Sequence, residues 1–245
     1  MRGRIAAAGA LLLTALTACE AETPAGDPPA PPPATQPIAA RPAPPTGGAA
    51  APAGTRGFDF YVLSLSWSPS YCEAEGSHAN RQQCASGRPY AFVVHGLWPQ
   101  FERGFPADCA TAQPDVAKER LAALYDLMPS AGLIRYQWRK HGSCSGLGQA
   151  DYFAVMRRAR QKVRIPAEFG RLDDHRMVDP AAAEHAFLAA NPGLGAEAIA
   201  VTCDKRYLRE VRICLTKDLT FRTCPEIDRR SCRLSRAVMP PVRGG

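Results

Sequence analysis

The chain has 245 residues, 46% hydrophobic and 22% charged, with a formal net charge of +7. That composition fits one or two folded domains and excludes a collagen-like chain; no run of ~18 apolar residues interrupts the body, which excludes a polytopic membrane protein. The basic excess favours acidic partners such as nucleic acid or an anionic membrane without choosing between them.

In chain order, Met1–Arg4 brings two arginines, and Ala6–Leu16 is an apolar run too short to span a bilayer. Together they read as the signal peptide (1–18) of an exported protein. The run ends in Leu16-Thr17-Ala18-Cys19, small residues before a cysteine that resemble a bacterial lipobox. The resemblance implies a lipid anchor on Cys19; the alternative is an ordinary cut after Ala18. Either way the destination is the periplasm, the cell envelope or the medium. Nine cysteines are odd, and setting Cys19 aside leaves an even number for pairing. Glu20–Arg56 holds 11 of the 23 prolines and no aromatic residue. Such a segment cannot bury enough surface to fold and favours an extended spacer, so 19–56 reads as a disordered stalk.

The body spans 57–236, with a flexible tail expected over 237–245. Gly57–Trp67 (GFDFYVLSLSW) is rich in aromatic and β-branched residues, with Tyr61, Leu63, Leu65 and Trp67 alternating, and predicts a strand. Tyr90–His95 predicts a short buried strand. Gln113–Met128 predicts a helix, with Pro114 near its start and Ala117, Leu121, Leu124 and Met128 at helical spacing. Leu133–His141 and Asp151–Val163 predict helices, and Asp179-Pro180 starts another that Asn191-Pro192-Gly193 stops. Ala198–Asp204 and Tyr207–Leu215 predict a strand pair. Strands and helices do not alternate regularly, so the fold class is α+β with a mainly antiparallel sheet and packed helices.

Cys72, Cys84, Cys109, Cys144, Cys203, Cys214, Cys224 and Cys232 remain in the body. An export signal makes disulfides the default, and the absence of any Cys-x-x-Cys pair argues against structural zinc. Eight cysteines allow on the order of a hundred pairings, among which spacing does not choose.

Two segments carry chemistry. In His95-Gly96-Leu97-Trp98-Pro99-Gln100 a histidine ends a buried strand and is delivered to a surface turn. In Tyr136-Gln137-Trp138-Arg139-Lys140-His141-Gly142-Ser143-Cys144, helical spacing places Tyr136, Gln137, Lys140 and His141 within an arc of roughly 140°, away from Arg135 and Arg139. Two imidazoles and an ammonium suit phosphoryl transfer without a metal or other cofactor. One imidazole removes a proton, the other supplies one, and the lysine stabilises charge on phosphate oxygens. The remaining histidines, His78, His175 and His185, carry no motif and read as surface or structural.

HGLWPQ and QWRKHGSC resemble the two signature segments of the ribonuclease T2 family, the acid endoribonucleases of the transferase type. Trp67-Ser68-Pro69 with Cys72, and the cysteine-rich end, agree with that likeness, which covers roughly Gly57–Cys232. The resemblance implies cleavage of single-stranded RNA through a 2′,3′-cyclic phosphate, with low base specificity; the protein is expected to be a monomer. It implies that His141 is the general base, His95 the general acid and Lys140 the stabiliser of the phosphorane. Gln137 would act at the phosphate, and Trp98, Tyr136 and Gln100 would contact substrate. It also implies the disulfides Cys109–Cys144, Cys203–Cys232 and Cys214–Cys224, leaving Cys72–Cys84. The family's second segment usually reads His-Glu-Trp where this chain has Tyr136-Gln137-Trp138. A glutamine keeps the length but cannot exchange a proton, so a catalytically weak RNA-binding protein is the competing reading.

Overall fold

Alternation along the first long strand decides the architecture. β1 (Phe60–Trp67) turns Tyr61, Leu63, Leu65 and Trp67 to one face of a sheet and Phe60, Val62, Ser64 and Ser66 to the other. The structure is a computed structural model that describes residues 50–51, 57–85 and 87–243. The expected signal peptide, Cys19 and nearly all of the proline-rich stalk lie outside the described residues. Ala50–Ala51, expected within the stalk, pair in parallel with Phe105–Pro106. Among the described residues no helix is long and apolar enough to cross a membrane.

β1 continues directly into α1 (Ser68–Glu75), where Pro69 takes a first-turn position. β2 (Phe92–Gln100) pairs antiparallel with β1 along its whole length. It is longer than the expected strand: the segment read as a surface turn continues the ladder to Gln100. α2 (Lys118–Ala122) is much shorter than the expected helix over 113–128. The carbonyl of Gln113 accepts from Trp138 Nε1 at 2.6 Å and from Gln149 Nε2 at 2.8 Å, and that of Asp115 also accepts from Gln149 Nε2. With those carbonyls engaged by side chains from elsewhere, the first turn of the expected helix does not close.

α3 (Ala131–Lys140) begins where Ser130 Oγ accepts from Leu133 N at 3.3 Å, an N-cap worth about 1 kcal/mol. Its last turn closes on His141, whose backbone is no longer helical. Gly142 follows, and here space demands glycine: a Cβ would run into the Trp138 and Tyr152 rings. α4 (Gln149–Lys162) packs Tyr152, Phe153 and Met156 into the core. A short strand β3 (Arg176–Val178) precedes α5 (Pro180–Ala190), which Asp179 caps through Ala181 N at 2.9 Å and which ends at Asn191. β4 (Ile199–Cys203) and β5 (Leu208–Leu215) form the expected antiparallel pair. The sheet order is β2-β1-β5-β4, antiparallel throughout.

The odd-numbered face of β1 meets Ile134 and Trp138 of α3, Tyr152, Phe153 and Met156 of α4, and Phe187 of α5 in one apolar cluster. Each such large side chain, fully buried, is worth about 1.5–3 kcal/mol. The other face starts as a smaller cluster of Phe60, Val62, Ala200, Cys214, Cys224 and Ile227, against which Trp98 packs. It becomes polar at Ser64 and Ser66.

The bonded cysteines are Cys72–Cys84, Cys109–Cys144, Cys203–Cys232 and Cys214–Cys224. Residues 237–243 depart from the flexible tail expected over 237–245. β6 (Ala237–Met239) pairs with β3, the Pro240 carbonyl accepts from Trp67 Nε1 at 3.0 Å, and Arg243 reaches Glu73 at 3.1 Å. Met239 is fully buried, so the segment is held through residue 243 by apolar burial as well as pairing.

Candidate active site

The polar end of the sheet's second face carries the site. On β2 the ladder with β1 pairs Gly96 with Ser64 and Val94 with Leu65, so His95 has no register partner: it is the extra residue of a bulge. A bulge re-aims the side chain it carries, and this one turns the imidazole over the sheet. His95 Nδ1 meets Glu210 Oε1 of β5, two strands away. The strand between them offers only Ser64 and Ser66 on that face, and Ser66 Oγ also reaches Glu210 Oε1 at 3.4 Å.

Glu210 is buried, and its other oxygen accepts from Arg212 Nε at 2.9 Å and Nη2 at 2.7 Å. Burial pushes this carboxyl up. The hydrogen bond and charge of His95, with the charge and hydrogen bonds of Arg212, outweigh that and hold it well below the usual carboxylate range. The Arg212 guanidinium in turn lies 5.2 Å from the Trp98 ring centroid, within cation–π range.

Trp98 packs against both histidines. Its ring centroid is 5.4 Å from that of His95, edge to face, and 5.4 Å from that of His141, tilted by 32°. Trp98 Nε1 donates to Gln137 Oε1 at 2.7 Å, which locks the indole to α3. Gly96 beneath them has to be glycine, because a Cβ there would overlap both the Gln137 oxygen and the indole.

His141, capping α3, is buried against Trp98 and Phe105, whose ring lies 5.7 Å away. Burial first, then the charges of Lys140 and His95, pull its pKa down from 6.5 to about 3. Its Nδ1 is buried without a hydrogen-bond partner among the described residues. Asp108 N donates to the Lys140 carbonyl at 2.9 Å, and the neighbouring Cys109 is bonded to Cys144, so the end of α3 is pinned on both sides of His141.

The arc expected to present Tyr136, Gln137, Lys140 and His141 together divides in two. Tyr136 is exposed, with its hydroxyl accepting from Lys140 Nζ at 2.9 Å, whereas Gln137 and His141 are buried. Gln137 commits its oxygen to Trp98 and keeps only its amide N–H groups for a ligand. Gln100 is not brought to this cluster. It is buried at the end of β2, and its Nε2 donates to the Pro99 carbonyl at 3.0 Å, so its placement does not support the expected substrate contact. His175 lies elsewhere, on Glu73 at 2.9 Å.

Glu210, Arg212 and Phe105 went unread in the sequence. A signal for Glu210 was present: it is the one carboxylate in a strand (LREVRICL) whose other charged residues, Arg209 and Arg212, are both cations. Beside His95 a cavity of about 410 Å³ opens, bounded by His95, Glu210, Tyr136, Val93, Leu133 and Arg209.

This geometry has relatives. Residues 58–224 match the model of the ribonuclease T2 family. A ribonuclease of Aeromonas hydrophila is 40% identical over 179 residues, covering 66% of this chain and 74% of that protein. Ribonuclease I of Escherichia coli is 26% identical over 209 residues, covering 66% of this chain and 76% of that protein. Among solved structures, an RNase-related protein from Calystegia sepium superposes with a TM-score of 0.58 at 24% identity, covering 75% of this chain and 97% of that one. RNase NT in complex with 5′-AMP superposes with a TM-score of 0.54 at 22% identity, covering 76% and 99%. The match over 58–224 takes in both histidine segments, and the chain belongs to the ribonuclease T2 family.

Proposed function

We propose that the protein is an endoribonuclease that cleaves single-stranded RNA by attack of the 2′-hydroxyl on the adjacent phosphate, releasing the 5′-oxygen and leaving a 2′,3′-cyclic phosphate. The carrying observation is the pair of imidazoles gathered against one indole, each 5.4 Å from its centroid. His141, with its pKa drawn down to about 3, is neutral at working pH and takes the 2′-hydroxyl proton. His95, on the leaving-group side, gives a proton to the 5′-oxygen. Lys140, at the exposed edge of α3, stabilises the charge that grows on the phosphate oxygens, and the Gln137 amide adds a neutral donor. No bond to the protein forms, because RNA supplies its own nucleophile.

The substrate lies across the two histidines. The leaving nucleoside emerges beside His95, into the cavity bounded by Tyr136, Val93 and Leu133. The 2′-hydroxyl nucleoside sits on the side of Trp98 and Phe105, whose aromatic faces accept any base, in keeping with low base specificity. The formal charge of +7 favours approach of a polyanion. The protein acts as an exported monomer, attached to a membrane through Cys19 at the end of the proline-rich stalk.

The test is product analysis on a ribohomopolymer and a ribodinucleotide, with EDTA present. The expected products carry 2′,3′-cyclic phosphate ends. RNA bound but left intact, or cleavage giving only 5′-phosphate ends, overturns the assignment.

A further inference from the structure

His95 stands on a bulge of the strand at the edge of the sheet, yet its ring is fastened from across the sheet. Neighbouring strands lie ~4.8 Å apart, so a residue on β2 and one on β5 are separated by about twice that spacing at the backbone. They meet here because three local features coincide. The bulge turns His95 over the face. The intervening positions are Ser64 and Ser66, where the opposite face of the same strand carries Leu63 and Leu65. Glu210 is long enough to cover the remainder, and its two oxygens are divided: Oε2 belongs to Arg212 and Oε1 to His95.

We propose that Glu210, clamped by Arg212, is the positioning residue for His95: it accepts the Nδ1–H and so turns Nε2 with its proton toward the leaving 5′-oxygen. This rests on the reading of His95 as the general acid. In the step, the Nε2–H bond breaks and an O5′–H bond forms as the P–O5′ bond breaks. His95 is left neutral with Nδ1–H still on Glu210, and the carboxylate takes no proton. A carboxylate orienting an imidazole through Nδ1 is a general device for setting which ring nitrogen faces the chemistry. Arg212 serves twice, fixing the Glu210 oxygen and lying over the Trp98 ring that both histidines contact. Stability alone does not account for the arrangement, since a buried ion pair is weak evidence of net stabilisation over a well-packed apolar pair.

The experiment uses the whole protein and two substrates. One is a ribodinucleotide, whose alkoxide leaving group needs a proton. The other is a uridine 3′-aryl phosphate, whose phenoxide leaves without one. Glu210→Gln keeps the shape and an acceptor for Nδ1–H but removes the charge; Glu210→Ala removes both. On the dinucleotide, kcat is expected to fall ~10-fold in Glu210→Gln and ~100-fold in Glu210→Ala, with KM changed by less than about threefold, within the range that proton transfer contributes. The loss on the aryl ester is expected to be at least ~10-fold smaller than on the dinucleotide for Glu210→Ala and for His95→Ala alike, because the step they serve is bypassed. Adding Glu210→Gln to His95→Ala should cost less than about threefold more, because the two act as one unit. Equal losses on both substrates, or additive losses in the double variant, overturn the proposal even if Glu210→Ala fails to fold, because Glu210→Gln reports both. Wild-type protein that cleaves neither substrate overturns the reading of the site itself; wild-type cleavage with unaffected Glu210 variants overturns this proposal alone.

Discussion

His95 and His141 both pack against one indole, yet the regions that carry them are built on opposite plans. His95 sits on a strand bulge, one-third exposed, with a carboxylate on its Nδ1 and a cavity beside it. His141 closes a helix, buried among aromatic rings, with Nδ1 unpartnered and a lysine next to it. One ring is aimed by a hydrogen bond. The other is aimed by packing and by a disulfide that pins the end of its helix. The contrast teaches that one side-chain type can be set to two tasks by surroundings alone. In the proposed mechanism the ring desolvated beside cations keeps a free lone pair and is the base. A ring held by an anion presents the nitrogen that carries the proton.

The strongest way to break this comparison is to remove one histidine at a time. His95→Ala and His141→Ala should each lower the cleavage rate by ~10²–10⁴-fold while RNA binding persists. A residual rate above about a tenth in either, measured by steady-state kinetics on a dinucleotide, would deny that ring its task. The two should also separate by substrate, with an activated leaving group rescuing His95→Ala and not His141→Ala.

The pinning of α3 is tested by Cys109→Ala with Cys144→Ala. The bridge spans a separation of 35 residues and is worth about 3–4 kcal/mol in the chain-entropy model. Chemical denaturation should show a loss of that order. Activity at low temperature should fall by less than in the histidine variants, since the aromatic packing around His141 stays. Loss of all activity with no loss of stability would mean that the bridge acts on the chemistry itself.

Lys140→Met sharpens the electrostatic half of the contrast. His141 is neutral above a pKa of about 3, so the base is available above that pH and is lost below it. The Lys140 charge is one cause of the lowering, so removing it raises the His141 pKa, and the acid limb of kcat/KM moves to higher pH. The rate at the optimum should fall ~10–100-fold as well, through the lost stabilisation of phosphate charge. An acid limb that stays in place contradicts the assigned cause.

The smallest effect is expected from Gln137→Glu. The carboxylate still accepts from Trp98 Nε1, so the indole keeps its place. The optimum rate should change by less than about tenfold, with a small upward movement of the acid limb from the added anion. A gain of a hundredfold, read on a homopolymer at each enzyme's own optimum, would mean that the natural protein binds RNA more than it cleaves it.

Much of this was legible in the residues, and the exceptions have a common cause. The alternation of Tyr61, Leu63, Leu65 and Trp67 marked the central strand and its core face, and Asp179 and Asn191 marked the two ends of α5. Periodicity is a local signal and so can be read locally. The helix expected over 113–128 is only Lys118–Ala122, and its late start follows from Trp138 and Gln149 claiming the carbonyls of 113 and 115, from segments no local window includes. The segment from 237 looked like a loose tail, and it is held by a strand partner over 176–178 and by Trp67. Both histidines stood out by their motifs, but Glu210 did not. Its meaning depends on β5 lying two strands from β2 with only serines between them, which is a matter of sheet order. Gln100, read from its place in the motif, turns into the strand instead.

The central claim is that His141 enters the reaction as a neutral base while its counterpart carries the proton. An NMR titration of the imidazole C–H signals in the intact protein tests it most directly, with His141→Ala and His95→Ala assigning the resonances. The His141 signals should keep the chemical shifts of a neutral ring from pH 8 down to the neighbourhood of its pKa of about 3. A His141 ring that becomes a cation near its ordinary value of 6.5 would contradict the account.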